Sequence, residues 1–210
     1  MISQEQEPAS LSGIEVPFLY LVDTGETPVF HQSEKPSDKG TVRGTREPHA
    51  MTIRNARLLP NDFSLDVEGF AFTEHVTEVT DFFDDAQLTS VYTPEVEKLI
   101  ARLAGATEVV VYDHTRRSSD GAVRERYNWR DPVALPHTDY TARSAEQRMR
   151  DAFAEGAEDR LNRRFAIVNV WRSMNEPIEQ WPLAMCDGRS VNDDLMHKIV
   201  RSAPHRAEPS

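Results

Sequence analysis

The first patterned run in the chain is VPFLYLV (16–22), where β-branched and aromatic residues crowd together and predict a strand. Residues 1–15 ahead of it are polar and predict a loose arm. The stretch 31–50, HQSEKPSDKGTVRGTREPHA, mixes Gly, Pro, Ser and charge without an apolar period, so a mobile surface loop is expected there. MTIRNARLL restores strand-like alternation, EGFAF predicts a further strand, and TDFFDDAQLTSVY a short turn or helix. Thr93-Pro94 opens a helix, because threonine can cap and proline suits the first helical position. Val96, Leu99, Ile100 and Leu103 share one face of that helix, and Gly105 is placed to end it.

EVVVYD then predicts a buried strand, and the polar segment 116–134, with Pro132, a loop. Beyond ALPHTDYT, Ser144 with Gln147 three residues later forms a capping-box pattern, and Met149, Ala152 and Phe153 give the helix one apolar side. The basic stretch Arg160 to Arg164 predicts a solvated helix end. In RFAIVNVWRS, Phe165, Ile167, Asn169 and Trp171 alternate with Ala166, Val168 and Val170 as in a central strand. Thr107–Tyr112, Phe165–Trp171 and Pro182–Cys186 are expected as strands of one sheet system. Helices in the middle, with strands before and after, predict a single α+β domain over residues 1–210 whose core is β.

Composition narrows the function classes. No run approaches eighteen apolar residues and the N-terminus has no basic flank, so neither a membrane span nor a secretory signal is expected. The single cysteine, Cys186, excludes an internal disulfide framework and suits a reducing, cytoplasmic location. A formal charge of −11, from 35 acids against 24 bases, repels phosphate backbones and argues against a nucleic-acid partner.

The most suggestive chemistry is His137-Thr138-Asp139. Residues two apart on a strand point to one face, so an imidazole and a carboxylate can converge on one ion. They are two thirds of a facial triad for non-haem Fe(II). The alternative is a loop histidine hydrogen-bonded to a nearby carboxylate. His114 and Arg116 follow the end of the predicted EVVVYD strand, where pocket-lining and structural roles are both open. Arg172 is a long cation beside a predicted core and needs a carboxylate, from the protein or from a ligand. His75 reads as a packing or capping residue, and Cys186 as an inert buried thiol.

The blocks GFAFTEHVTEVTDFFD, YTPEVEKLIARLAGATEVVVYDHTRR, PHTDYT and NVWRSMNEPIEQWPLAMCDGRSV occur in one order. From about Ile53 to Val191 they resemble the fungal and bacterial hydroxylase/desaturase-like family that includes gibberellin desaturase and a cephalosporin 7α-methoxylation protein. That resemblance implies a double-stranded β-helix (jelly-roll, cupin-like) core with flanking helices, and an Fe(II)/2-oxoglutarate-dependent oxygenase acting on a small secondary-metabolite-like substrate. It implies that His137 and Asp139 are the iron-binding pair, with Arg172, His114 and Arg116 as candidates for contacting 2-oxoglutarate. Family members continue to a distal histidine followed by an arginine. Here the tail reads DDLMHKIVRSAPHRAEPS, leaving His197, His205 or none as the third ligand, and an incomplete jelly-roll. A catalytically inactive binding protein with a protein partner is the alternative the resemblance implies.

Overall fold

The computed structural model describes residues 13–202, apart from 39, 60–61, 154, 175–176, 193 and 195. The expected loose arm, bar its last residues, and His205 lie outside the described residues. The chain forms two compact units: Met1–Ala71, Arg117–His137 and Pro182–Ser210 make the first, Phe72–Arg116 and Thr138–Trp181 the second.

The first unit holds every strand found among the described residues. β1 (Ile14–Leu21) carries the predicted VPFLYLV run and pairs antiparallel with β4 (Arg46–Ile53) over eight residues. Pro17 faces Ala50 and Pro48 faces Leu19, so both prolines fall on pairs of the same parity. In an antiparallel ladder, alternate residues point their amides away from the partner, and a proline is tolerated there. The amide of Val22, which has the opposite parity, donates to the Thr45 carbonyl at 3.0 Å and confirms the assignment. A second, three-stranded sheet has β2 (Val29–His31) at its centre, antiparallel to β3 (Thr41–Arg43) and parallel to β5 (Val200–Ser202). The loop expected over 31–50 is therefore partly sheet. Its residues lack apolar rhythm because they are exposed on both faces, and backbone pairing with β1 and β2 holds them instead.

Three further expectations for this unit need correction. EGFAF is not a strand: Glu68 lies in a turn and is buried, 7% exposed. Its carboxylate accepts from the Ser64 amide at 2.9 Å and meets Arg189 at 3.3 Å, and its carbonyl accepts from the Gly188 amide at 2.8 Å. A Cβ on Gly188 would stand 3.1 Å from that carbonyl oxygen, so the close approach favours glycine. Within 116–134 there is a helix, α3 (Gly121–Tyr127), started by the Asp120 carboxylate on the Ala122 amide and ended at Asn128 in the left-handed region. The Pro182–Cys186 segment takes no strand pairing.

The second unit is built on one long helical run. Asp84 caps α1 (Asp85–Gln87), a π-helical turn follows over Leu88–Tyr92, and α2 (Thr93–Ala104) continues to Gly105, which ends it at φ 62°. Thr93 is not the cap the sequence suggested, because the chain is already helical before it. Leu88, Tyr92 and Val96 are buried with Val79, and Phe82, Val91, Ile100 and Val111 pack against them. Leu99 is buried as expected, whereas Leu103 stays 41% exposed. α4 (Ala142–Ala152) begins at Thr141, whose hydroxyl accepts from the Ser144 amide while Ser144 Oγ accepts from the Thr141 amide. The capping box thus sits three residues earlier than Ser144–Gln147. α5 (Ala157–Leu161) carries Arg160, which pairs with Glu108 at 2.7 Å. Thr107–Tyr112 and Phe165–Trp171 form no strand, and Val110 and Val170 are exposed.

Candidate functional site

The π-helical turn shapes one flank of the second unit. The Thr93 amide and its hydroxyl both donate to the Leu88 carbonyl, the hydroxyl at 3.0 Å. That commits the only hydroxyl hydrogen of Thr93, so its 2.8 Å contact with His114 Nε2 is donated by the imidazole. Burial pushes His114 below its ordinary value; Asp113 and Asp85 pull it back up and Arg116 pushes it further down. The ring is thus a neutral Nε2–H donor at neutral pH, tilted over Tyr92. Arg116 donates to the Phe82 carbonyl at 3.2 Å and to Asp85 at 2.6 Å, tying the segment after Tyr112 to the start of α1.

Arg172 lies over two aromatic faces, 5.1 Å from the Phe82 ring centre and 5.7 Å from that of Tyr92. Its Nε is buried without a hydrogen-bond partner. Burial raises the Tyr92 phenol, and the charge and hydrogen bond of Arg172 only partly offset that. Glu95 is pushed up by burial, but the Glu78 amide, the Thr77 hydroxyl, and the charges of His75 and Arg172 together hold it below the usual carboxylate value. His75 stands 4.0 Å from Glu95, in keeping with a local structural role.

His137 ends the middle segment of the first unit, and Asp139 belongs to the second. Neither is in a strand, so the strand-periodicity argument for their shared face does not apply. His137 Nδ1 lies 2.7 Å from the Leu135 carbonyl, which can only accept, so Nδ1 carries a hydrogen. That outer hydrogen bond is the one metal-ligating histidines make. Asp139 Oδ2 accepts from Asn169 Nδ2 at 2.6 Å. Each of the two side chains, taken by itself, offers a donor atom of a kind that iron accepts. Among the described residues no three His, Cys, Asp or Glu side chains form a group that could hold an ion, and His197 completes none.

Several residues here escaped the sequence reading. Tyr140, next to Asp139, accepts from the Tyr112 hydroxyl and from Arg148 Nε, each at 3.2 Å. Burial, Tyr140 and Asp139 raise the Tyr112 phenol, with Arg148 opposing. Asn169 appeared only as one beat of an alternation; its partner is 30 positions away, and no local signal reports that. Cys186, expected buried, is exposed beside Ser190. A cavity of about 290 Å³ in the first unit, lined by Val22, Pro28, Arg43 and Thr45 among others, contains none of the predicted site residues.

Comparison with known proteins supplies the context. The hydroxylase/desaturase CTB9 of Cercospora beticola is 32% identical over 179 residues, covering 80% of this chain and 55% of that protein. The Fe(II)/2-oxoglutarate-dependent dioxygenase nvfI of Aspergillus novofumigatus is 30% identical over 158 residues, covering 72% of this chain and 55% of its own length. The chain spans just over half the length of the curated relatives it matches. Among solved structures, the iron and alpha-ketoglutarate-dependent endoperoxidase NvfI superposes with a TM-score of 0.70 at 23% identity, covering 91% of this chain and 71% of that one. This likeness bears out the α+β fold related to the double-stranded β-helix, with flanking helices and an incompletely closed sheet. No helix among the described residues is long and apolar enough to cross a membrane. The family described as oxidoreductase/YMDC permease-like domain matches residues 17–209, and with the relatives above it shows that the chain belongs to a fungal Fe(II)/2-oxoglutarate-dependent oxygenase family.

Proposed function

We propose that the protein is an Fe(II)- and 2-oxoglutarate-dependent oxidoreductase, a hydroxylase or desaturase acting on a small secondary-metabolite-like molecule. His137 and Asp139 hold the iron, the histidine through Nε2. The observation that carries this reading is the outer hydrogen bonding of the pair: the Leu135 carbonyl fixes the histidine tautomer, and Asn169 orients the carboxylate. Bound together, iron and 2-oxoglutarate would supply the oxidation of a substrate C–H bond by dioxygen. Arg172 pairs with the 2-oxoglutarate carboxylate; its planar fork suits a carboxylate, and its buried Nε lacks a partner. His114 and Arg116 are the further cofactor contacts, held in place by Thr93 and Asp85. Of the candidates for a third ligand, His197 completes no ligand group among the described residues, which leaves His205 or none.

One observation favours a second reading, a binding or partner protein without turnover: no three-residue ligand group forms among the described residues. Anaerobic addition of Fe(II) and then 2-oxoglutarate separates the two. The weak visible metal-to-ligand charge-transfer band is expected in the wild type and lost in Asp139→Ala, while Arg172→Leu raises the 2-oxoglutarate concentration needed. A wild-type protein that develops no band would leave the binding reading standing.

A further inference from the structure

We infer that the Tyr140 hydroxyl is a specificity-determining hydrogen-bond donor for a neutral oxygen, a carbonyl or an ether, on the small molecule the protein takes. The role rests on the small-molecule reading above, and not on which residues hold iron. Its basis is an inventory of hydrogens. A phenol oxygen accepts from up to two donors and brings one hydrogen of its own. Tyr140 receives the Tyr112 hydroxyl and Arg148 Nε, each at 3.2 Å, which fills its acceptor side. Its own hydrogen has no acceptor among the described residues. That O–H is therefore left to donate to a molecule outside the chain.

The neighbours hold the phenol in place. Arg148, from α4, donates to Tyr140 and also lies over the Tyr112 ring, 5.1 Å from its centre. Tyr112 reaches Tyr140 from 28 positions earlier in the chain, so two separate segments fix one oxygen. Two donors into that oxygen also polarise it, which strengthens the remaining O–H as a donor. Tyr140 is half-buried, so its hydrogen is within reach of a ligand and partly shielded from bulk water. Charge then selects the acceptor. Asp139 directly precedes Tyr140, and the Arg148 cation is answered in part by Asp151 at 3.9 Å. An anionic ligand would meet like charge there, whereas a neutral carbonyl or ether accepts the same bond without that opposition.

The test is an NMR titration of the full chain, labelled with ¹³C at the ζ carbon of its five tyrosines, using tetralone and, separately, tetralin, the same rings without the oxygen. Tyr112→Phe and Tyr140→Phe assign the two resonances, and a melting curve of each variant checks its fold. Tetralone should shift the Tyr140 resonance saturably and tetralin should leave it in place. Tyr140→Phe should weaken tetralone binding about 3- to 10-fold. Tyr112→Phe removes one donor into Tyr140 but not the Tyr140 hydrogen, so the preference for the ketone should survive it. A Tyr140 resonance that ignores tetralone in the wild type overturns the proposal, because the hydrogen then serves solvent only. So does a ketone preference that persists in Tyr140→Phe. The iron reading is judged separately by the charge-transfer band: a band without the Tyr140 shift sinks the donor site alone, and the shift without a band sinks the iron reading alone.

Discussion

The β1–β4 ribbon and the helical core of the second unit hold together by opposite means. The ribbon is a run of eight backbone pairs whose side chains stay largely in water: Ile14 and Leu19 are exposed, and only Ile53 of β4 is even half-buried. The helical run from Asp84 to Gly105 owes its place to side chains, with Leu88, Tyr92 and Val96 buried against Val79. One region should therefore respond to changes in backbone donors and ignore most side-chain truncations, and the other should do the reverse. Near neutral pH the site residues of the second unit rest on the side-chain kind of order.

The largest expected effect tests the core. Leu88 is 4% exposed, and Leu88→Ala should cost about 2–5 kcal/mol in urea unfolding, through lost burial and the cavity left behind. A loss no larger than that of an exposed ribbon residue would break the contrast. Next comes a backbone test in the ribbon. Met51 pairs with Val16 at the parity whose amides point inward, whereas Ala50 shares the outward parity of Pro17 and Pro48. Met51→Pro should lose at least about 1 kcal/mol with its ladder bond, and Ala50→Pro should lose clearly less. Equal losses would refute the parity assignment.

A third prediction concerns pH. His114 binds its proton less readily in the fold than in the unfolded chain, so its contribution is fully present above the unfolded value near 6.5 and is lost as pH falls through the lower folded value. The melting temperature should fall between pH 7 and pH 5 more steeply in wild type than in His114→Gln; parallel profiles would show that the Thr93 contact places no constraint on the ring's charge. The smallest effect is that of Met51→Ala, expected within about 0.5 kcal/mol of wild type because the side chain is 36% exposed. Set against Met51→Pro, it separates side chain from backbone at a single position.

What could be read in the sequence follows the same division. The helix ending at Gly105 was legible because its face, its proline and its glycine are all within one another's local reach. β4 was legible only in its last three residues, where the MTIRNARLL alternation begins: REPHA carries no pattern, and its strand character comes from a partner some thirty residues earlier. RFAIVNVWRS shows the reverse. It has the best alternation in the chain, yet alternation states only which faces are apolar, and no described strand pairs with it. At the site, His137 and Asp139 announced themselves as a triplet. The Leu135 carbonyl and the Asn169 amide could not, because any residue has a carbonyl and an asparagine's partner is chosen by the fold.

The two prolines of the ribbon have a consequence for assembly. A strand's outer rim is a template: its outward amides and carbonyls invite a passing chain to add itself, and repeated addition is how fibrils grow. Pro17 and Pro48 each delete one donor from a rim, one on either side of the ribbon. An incoming strand would meet a gap in its hydrogen bonding on whichever side it approached, so the ribbon discourages recruitment of further chains while its own internal ladder stays intact.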